Sequence, residues 1–265
     1  MKKRYQISYQ LKVILNVVVY VVFFAYIVYS AVTAADTGTR LVFIVVGVFF
    51  GGGALLYEYL RFNFDQATKN LVFMGDPQKA LNLADRVKKA DLLKTFDSSL
   101  DIMRMLAYVD LRDYDRLKTY IEGLSYEKLR NYDVAIVARH SQMIMYGELG
   151  DGEKMETAHK QLTGLRSRTS SKGKHMKGAY FYNWDVVAAA CSFYRGSGME
   201  AWNRISKVDV RNMNKRELMH CYALQARIAA KIGRSGDMEE YRERAKKAAG
   251  KNEVMTAFLD SLQMG

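Results

Sequence analysis

Hydrophobic positions along the chain fall into two regimes. Residues 13–34 (VILNVVVYVVFFAYIVYSAVTA) hold no ionised group, and residues 41–60 (LVFIVVGVFFGGGALLYEYL) hold only Glu58, near their end. A helix rises about 1.5 Å per residue and a bilayer core is about 30 Å thick, so each run is long enough to cross a membrane. After Arg61 the uniform apolarity gives way to apolar residues at helical spacing, and no window alternates as a half-buried strand must. The chain has a single proline. The pattern predicts an all-α protein: an N-terminal transmembrane helical hairpin (domain 1–61, spans about 13–34 and 41–60), then a cytosolic α-solenoid of about five helix pairs over 62–265.

Turn signals recur through the second part. They are Met74-Gly75-Asp76-Pro77, Leu111-Arg112-Asp113-Tyr114, Leu149-Gly150-Asp151-Gly152, Gly196-Ser197-Gly198-Met199 and Ser235-Gly236-Asp237-Met238. With Asp76, Asp113, Asp151, Gly198 and Asp237 taken as equivalent, the spacings are 37, 38, 47 and 39. Gly can end one helix in a left-handed conformation while Asp caps the next by accepting its free N–H groups. Pro77 falls at a first helical position, where its missing N–H is harmless. Large or apolar residues hold constant offsets: Leu71, Tyr108, Tyr146, Phe193 and Ile232 five before the turn, and Ala80, Leu117, Met155, Trp202 and Tyr241 four after it. Residues 253–263 form a capping helix.

On these residues the chain resembles the tetratricopeptide repeat family over roughly residues 63–250, with its Gly-Asp turn at Gly75-Asp76, Gly150-Asp151 and Gly236-Asp237. It departs from the family in lacking most of the Trp, Leu-Gly and small Ala positions and the closing Pro, and its units exceed the usual repeat of about 34 residues. The resemblance implies a protein–protein interaction surface. It transfers no binding residues, because a Lys/Arg/Asn clamp for a C-terminal carboxylate is not recognisable.

Charge orients the hairpin. Lys2, Lys3, Arg4 and Lys12 precede the first run, Arg61 and Lys69 follow the second, and the connecting ADTGTR offers Arg40 alone. The positive-inside rule then places both ends in the cytoplasm of a plasma (inner) membrane of bacterial type, in a multi-pass topology. VTAAD resembles a signal-cleavage site, but the first apolar run exceeds the usual h-region of about 7–15 residues, which favours a retained helix. Six of the 40 Lys+Arg and two of the 28 Asp+Glu precede residue 62, so the remainder carries a net +8. Such a surface suits anionic lipid as well as nucleic acid, and charge alone does not separate them.

Candidate sites are few. Gly47 and Gly51 form a small-xxx-small pair for close helix packing, either on a foreign membrane helix or on the first helix of the hairpin itself. The basic stretch 165–179, with Arg166, Arg168, Lys172, Lys174 and Lys177, reads either as a contact for anionic lipid or an acidic partner, or as a solvated insertion. In the aromatic cluster 179–185, Tyr180, Trp184 and Val187 share a helical core stripe, which leaves Tyr182 and Asn183 for a concave partner groove. No phosphate loop, HExxH or CxxC occurs, and Cys191 and Cys221 are too few for a disulfide framework or thiolate metal site.

The sequence is therefore read as a non-enzyme without cofactor or metal and without a small-molecule substrate. It is a membrane-anchored adaptor or scaffold whose helical repeats hold a protein partner. Two further readings stay open. One is an accessory subunit of a secretion, transport or envelope-synthesis complex, packed through the membrane glycines. The other, ranked lower, is a basic solenoid that binds nucleic acid.

Overall fold

A computed structural model describes residues 2–171 and 182–263, with side chains for 18–166 and 182–263. Every regular element among the described residues is helical, and the chain divides into two compact units, Met1–Phe62 and Asn63–Gly265.

The first unit contains α1 (Lys2–Thr33) and most of α2 (Thr37–Lys69). Asp36 caps α2 by accepting the Thr39 N–H at 2.8 Å and the Thr39 hydroxyl at 2.6 Å. Arg40 Nε donates to the Ala31 carbonyl at 3.1 Å, covering an acceptor that the end of α1 leaves open. Further along, a Cβ on Gly47 would sit 2.7 Å from Ile27, and one on Gly51 would sit 2.6 Å from the Phe24 ring. Tyr20 donates to Glu58 at 3.2 Å. Contacts that climb α2 as they descend α1 set the two helices antiparallel. Their other faces are apolar and bare, with Val48, Phe49 and Val32 each more than 70 % exposed. Among the residues whose side chains are described, which begin within α1 at Val18, the segment Thr37–Met74 is long and apolar enough to cross a membrane, and the described part of α1, Val18–Thr33, is apolar. One span of the two expected is thus shown by length and apolarity.

The second unit begins in the last residues of α2 and a π-helical turn, Asn70–Met74. It continues through α3 (Pro77–Ala90), α4 (Asp97–Asp110), α5 (Tyr114–Glu122), α6 (Tyr126–Arg130), α7 (Tyr132–Glu148) and α8 (Gly152–Ser171). After these come α9 (Trp184–Tyr194), α10 (Gly198–Ile205), α11 (Lys215–Lys231), α12 (Ser235–Ala249) and α13 (Glu253–Asp260). Four turns share one hydrogen-bond pattern. After α4, α7, α9 and α11 a left-handed residue follows the C-cap: Arg112, Gly150, Gly196 and Gly233. The next residue, Asp113, Asp151, Ser197 or Arg234, donates its N–H back to Tyr108, Tyr146, Ser192 or Ala229, and is at once the N-cap of the following helix. This is the Schellman arrangement, which satisfies carbonyls at the end of a helix. Asp113 and Asp151 also accept the N–H groups of Arg116 and Lys154.

These turns correct the expected repeat register. The fourth and fifth equivalents are Ser197 and Arg234, one and three residues before Gly198 and Asp237. In the corrected register the residues four after each cap (Leu117, Met155, Ala201, Met238) and eight before it (Met105, Met143, Ala189, Ala226) are all buried. The glycines at 198 and 236 lie inside helices and end none.

The helices form a ring. The π turn packs on α3, α3 on α4, α4 on α7, α7 on α9, α9 on α11, and α11 returns to the π turn. Helices α5, α8, α10 and α12 pack behind their partners. At the seam two glycine backbones meet. Lys251 donates its N–H to the Met74 carbonyl at 3.2 Å. Gly75 and Gly250 have φ of 64° and 65°, and a Cβ on either would lie 1.9 Å from the Ala249 carbonyl oxygen or 2.5 Å from that of Met74.

A left-handed non-glycine residue costs about 1–3 kcal/mol before any clash is added. Gly75→Ala and Gly250→Ala are each expected to destabilise the helical unit by at least about 2 kcal/mol. Thermal melts followed by far-ultraviolet circular dichroism measure this, and melting temperatures equal to wild type would show that the seam does not hold the ring.

Candidate functional site

The ring encloses a cavity of about 590 Å³. Its wall comes from the inner helices α7, α9 and α11, the end of α4 with the turn into α5, residues 182–183, the 209–213 loop and α13; among the described residues none of α8, α10 or α12 lines it. Aromatic rings (Tyr114, Tyr182, Trp184, Tyr194, Phe258) alternate there with the guanidinium groups of Arg112, Arg216 and Arg227.

Two buried carboxylates organise this wall. Asp110 and Glu148 stand at the same position of successive turns, three residues before Asp113 and Asp151. Glu148 accepts from Arg112 Nη2 at 2.7 Å, from the Tyr194 hydroxyl at 2.6 Å and from Arg227 Nη1. Burial pushes its carboxyl up, but Arg227, Arg112 and the hydrogen bonds together outweigh burial and hold it below the ordinary glutamate value. Asp110 accepts both Nε and Nη2 of Arg216 at 2.7 Å, and its Oδ1 lies 2.6 Å from His220 Nε2. There too burial is the largest single influence, and Arg216 and His220 reverse it, leaving the carboxyl lowered. Asn252, just ahead of α13, donates to the Asp110 carbonyl at 2.9 Å, and Phe258 lies 3.6 Å beneath the Arg112 guanidinium.

Arg112 sits left-handed (φ 52°) where the three other turns have glycine. Its backbone strain is offset by the pairing with Glu148 and by contacts with the Phe258 and Tyr114 rings. Tyr194 keeps its proton, because burial first and Glu148 second raise its phenol well above the ordinary value. Across the cavity His140 stacks on Tyr182 at 3.8 Å between ring centroids. Burial, with Arg216 and His220 behind it, pushes His140 down to about 3, so its imidazole is neutral at physiological pH. The Tyr182 hydroxyl is buried and has no hydrogen-bond partner among the described residues. A buried, unpartnered donor inside a roomy cavity that also carries charged groups marks a place for a ligand atom or water.

The sequence-derived candidates scatter. Tyr182 and Asn183 line the cavity. Asn183 is the N-cap of α9, however, and its side chain is spent on the N–H groups of Asp185 and Val186. The helix α9 begins at Trp184, and Tyr180, the first member of the expected core stripe, lies outside the described residues. Trp184 lines the cavity and carries the Arg166 guanidinium at 4.7 Å. The basic stretch is helical as far as Ser171, which puts Arg166 and Arg168 on α8 and not in a loop. The positions Lys172, Lys174 and Lys177 lie outside the described residues. Gly47 and Gly51 receive Ile27 and Phe24 of α1.

The residues with the densest interactions, Asp110, Glu148, Arg112, Arg216 and Arg227, were absent from the sequence-derived candidates. One signal was present: an acid three residues before two equivalent turns, on a helix face otherwise apolar. The chain matches no family model, no curated protein and no solved structure.

Removing one partner of a buried ion pair leaves a charge uncompensated, at about 3–5 kcal/mol. Glu148→Gln and Asp110→Asn are expected to destabilise the helical unit by that amount, measured by chemical denaturation, whereas the exposed-pair variant Glu200→Gln should fall within about 1 kcal/mol of wild type. His140 supplies a pH signature. Its folded pKa lies below its unfolded one, so between the two values the unfolded chain binds the extra proton. Stability is therefore full above about pH 6.5 and declines as pH falls, by up to about 1.4 kcal/mol at pH 5.5. His140→Phe keeps a ring against Tyr182 and should flatten that decline in melting temperature between pH 7.5 and 5.5; an unchanged slope would remove His140 from the account.

Proposed function

We propose that the protein is a membrane-anchored binding module. In this reading α1 and α2 form a transmembrane hairpin, both ends of the chain lie in the cytoplasm of a bacterial-type inner membrane, and the tetratricopeptide-like ring holds a short segment of a partner protein in its central cavity. The observation that carries the reading is the cavity itself. It is walled by the inner helices, the turn after α4, the 209–213 loop and α13, is rich in the Arg, Tyr and Trp side chains that dominate binding hot spots, and holds a buried hydroxyl that has no partner among the described residues.

Three features support it further. Charge on the flanks of the apolar runs favours a cytoplasmic ring. The arginines are already paired with carboxylates, so they present flat guanidinium faces and spare N–H groups in place of bare charge, a surface suited to peptide backbone and neutral side chains. Gly47 and Gly51 are occupied within the chain's own helix pair. The alternative of an accessory subunit packed through them therefore has less support than the adaptor.

Topology and binding are tested separately. Protease added to inverted membrane vesicles should digest the region after residue 62, and right-side-out vesicles should protect it; the reverse pattern would overturn the orientation. A photo-crosslinking residue replacing Met213 at the cavity wall should yield one discrete adduct in cell membranes. Tyr182→Trp, which fills the cavity, should reduce that adduct at least tenfold. Adducts only with lipid or with a second copy, or an adduct indifferent to Tyr182→Trp, would overturn the partner reading.

A further inference from the structure

Away from the cavity, three side chains of different chemistry converge where α8 meets α9. Glu156 and His159 lie three residues apart on α8, hence on one helix face. Cys191 of α9 faces them, and one donor atom from each of the three lies within 4.8 Å of the other two. None of the three lines the central cavity. The Cys191 thiol is free and buried at 2 % exposure. The His159 ring makes no hydrogen bond among the described residues, and Glu156 keeps part of its side chain open to solvent. Cys191 also packs in the apolar core, but core packing does not account for a half-buried imidazole and a half-buried carboxylate set against its thiol.

We propose that Glu156, His159 and Cys191 form a binding site for a divalent transition metal of borderline softness, zinc foremost, with a solvent water as the fourth ligand. The donor set decides the class. Thiolate sulfur and imidazole nitrogen select zinc and its neighbours over magnesium or calcium, which take oxygen donors. Arg195 fits this assignment as an outer partner. Its Nε and Nη2 donate to the Glu156 carboxylate at 2.6–2.8 Å. A carboxylate has about four lone-pair positions, so one oxygen can serve the metal while the guanidinium holds the group in orientation. Charge also balances: a thiolate and a carboxylate set against one guanidinium and a divalent ion leave a single net positive charge. Binding is a ligand exchange without redox change, in which the thiol proton and the displaced waters pass to solvent and a metal–sulfur bond forms.

The site bridges two helices that the chain joins only through residues 172–183. A metal there acts as a staple between α8 and α9, and its free energy of binding adds to the stability of the folded ring.

Cobalt(II) is the probe, because a tetrahedral cobalt–thiolate bond gives an intense near-ultraviolet charge-transfer band. The full chain, free of any affinity tag and in detergent micelles, is expected to develop this band at one equivalent of cobalt and to lose it on addition of zinc. Cys191→Ser should abolish the band and Cys221→Ser should leave it. His159→Gln, at a half-buried position where folding is less at risk, should weaken cobalt binding at least tenfold, as should Glu156→Gln. Zinc should raise the melting temperature of wild type and leave that of Cys191→Ser unchanged. Absence of the band at saturating cobalt, the same band in Cys191→Ser, or full affinity in His159→Gln would each overturn the site.

Discussion

The carboxylates of Asp110 and Glu148 each end an inner helix, where the helix dipole already concentrates negative charge, and burial makes their ionisation still more costly. Both are nonetheless held ionised, by guanidinium groups that arrive from elsewhere: Arg216 and Arg227 from α11, more than seventy residues on, and Arg112 from the left-handed turn. Removing either side of such a pair strands a charge in a low dielectric, so the pairs function as a latch more than as a source of net stability. They pull α11 across to the ends of α4 and α7, and with the Gly75–Gly250 seam they turn a row of helix pairs into a ring.

Closure has a functional consequence. An open helical array offers a concave groove along its whole length, suited to a long partner helix or extended segment. With α13 seated against Arg112 and Asp110, the partner segment proposed above has the enclosed central cavity to occupy and would have to be short. The same latch sets the character of the wall. Arginines committed to carboxylates are stiff and their planes lie against Phe258, Phe193 and Tyr194, so in the proposed role the cavity would select shape and hydrogen-bond pattern more than net charge. The strained backbone at Arg112 belongs to this design, since a glycine there would relax the turn and lose the pairing with Glu148.

The Glu156–His159–Cys191 cluster is a different kind of feature. It lies between an inner helix and the outer helix of the preceding pair, and would strengthen a junction that the chain itself crosses only through residues 172–183. The cavity and this cluster share no residue, so binding in one does not require the other.

Much of this was legible in the chain. Apolar runs of about twenty residues set apart the first unit, and helical periodicity predicted an all-α remainder, because both depend on patterns local to a helix. The turns were legible where Asp follows Gly, at Gly75-Asp76 and Gly150-Asp151, since capping is also local. The register slipped at Gly198 and Gly236, because a glycine inside a helix has the same letter as one that ends it, and only the φ angles at Gly196 and Gly233 tell them apart. Tyr182 and Asn183 could be assigned to the inner face from the aromatic cluster, but the N-cap role of Asn183 depends on where the helix starts.

What no local pattern could supply is the pairing of residues across the ring. Asp110 meets Arg216, Glu148 meets Arg227, Gly75 meets Gly250, and Cys191 meets Glu156 and His159 only because the accumulated turn of successive helix pairs brings distant segments together. The sequence by itself determined the helical class, the apolar front and the positions of most turns, through propensities that act within a few residues. Ring closure, the ionised carboxylates inside it and the convergence of metal-binding donors were decided by the tertiary structure, because each depends on distances that small rotations between stacked helices set.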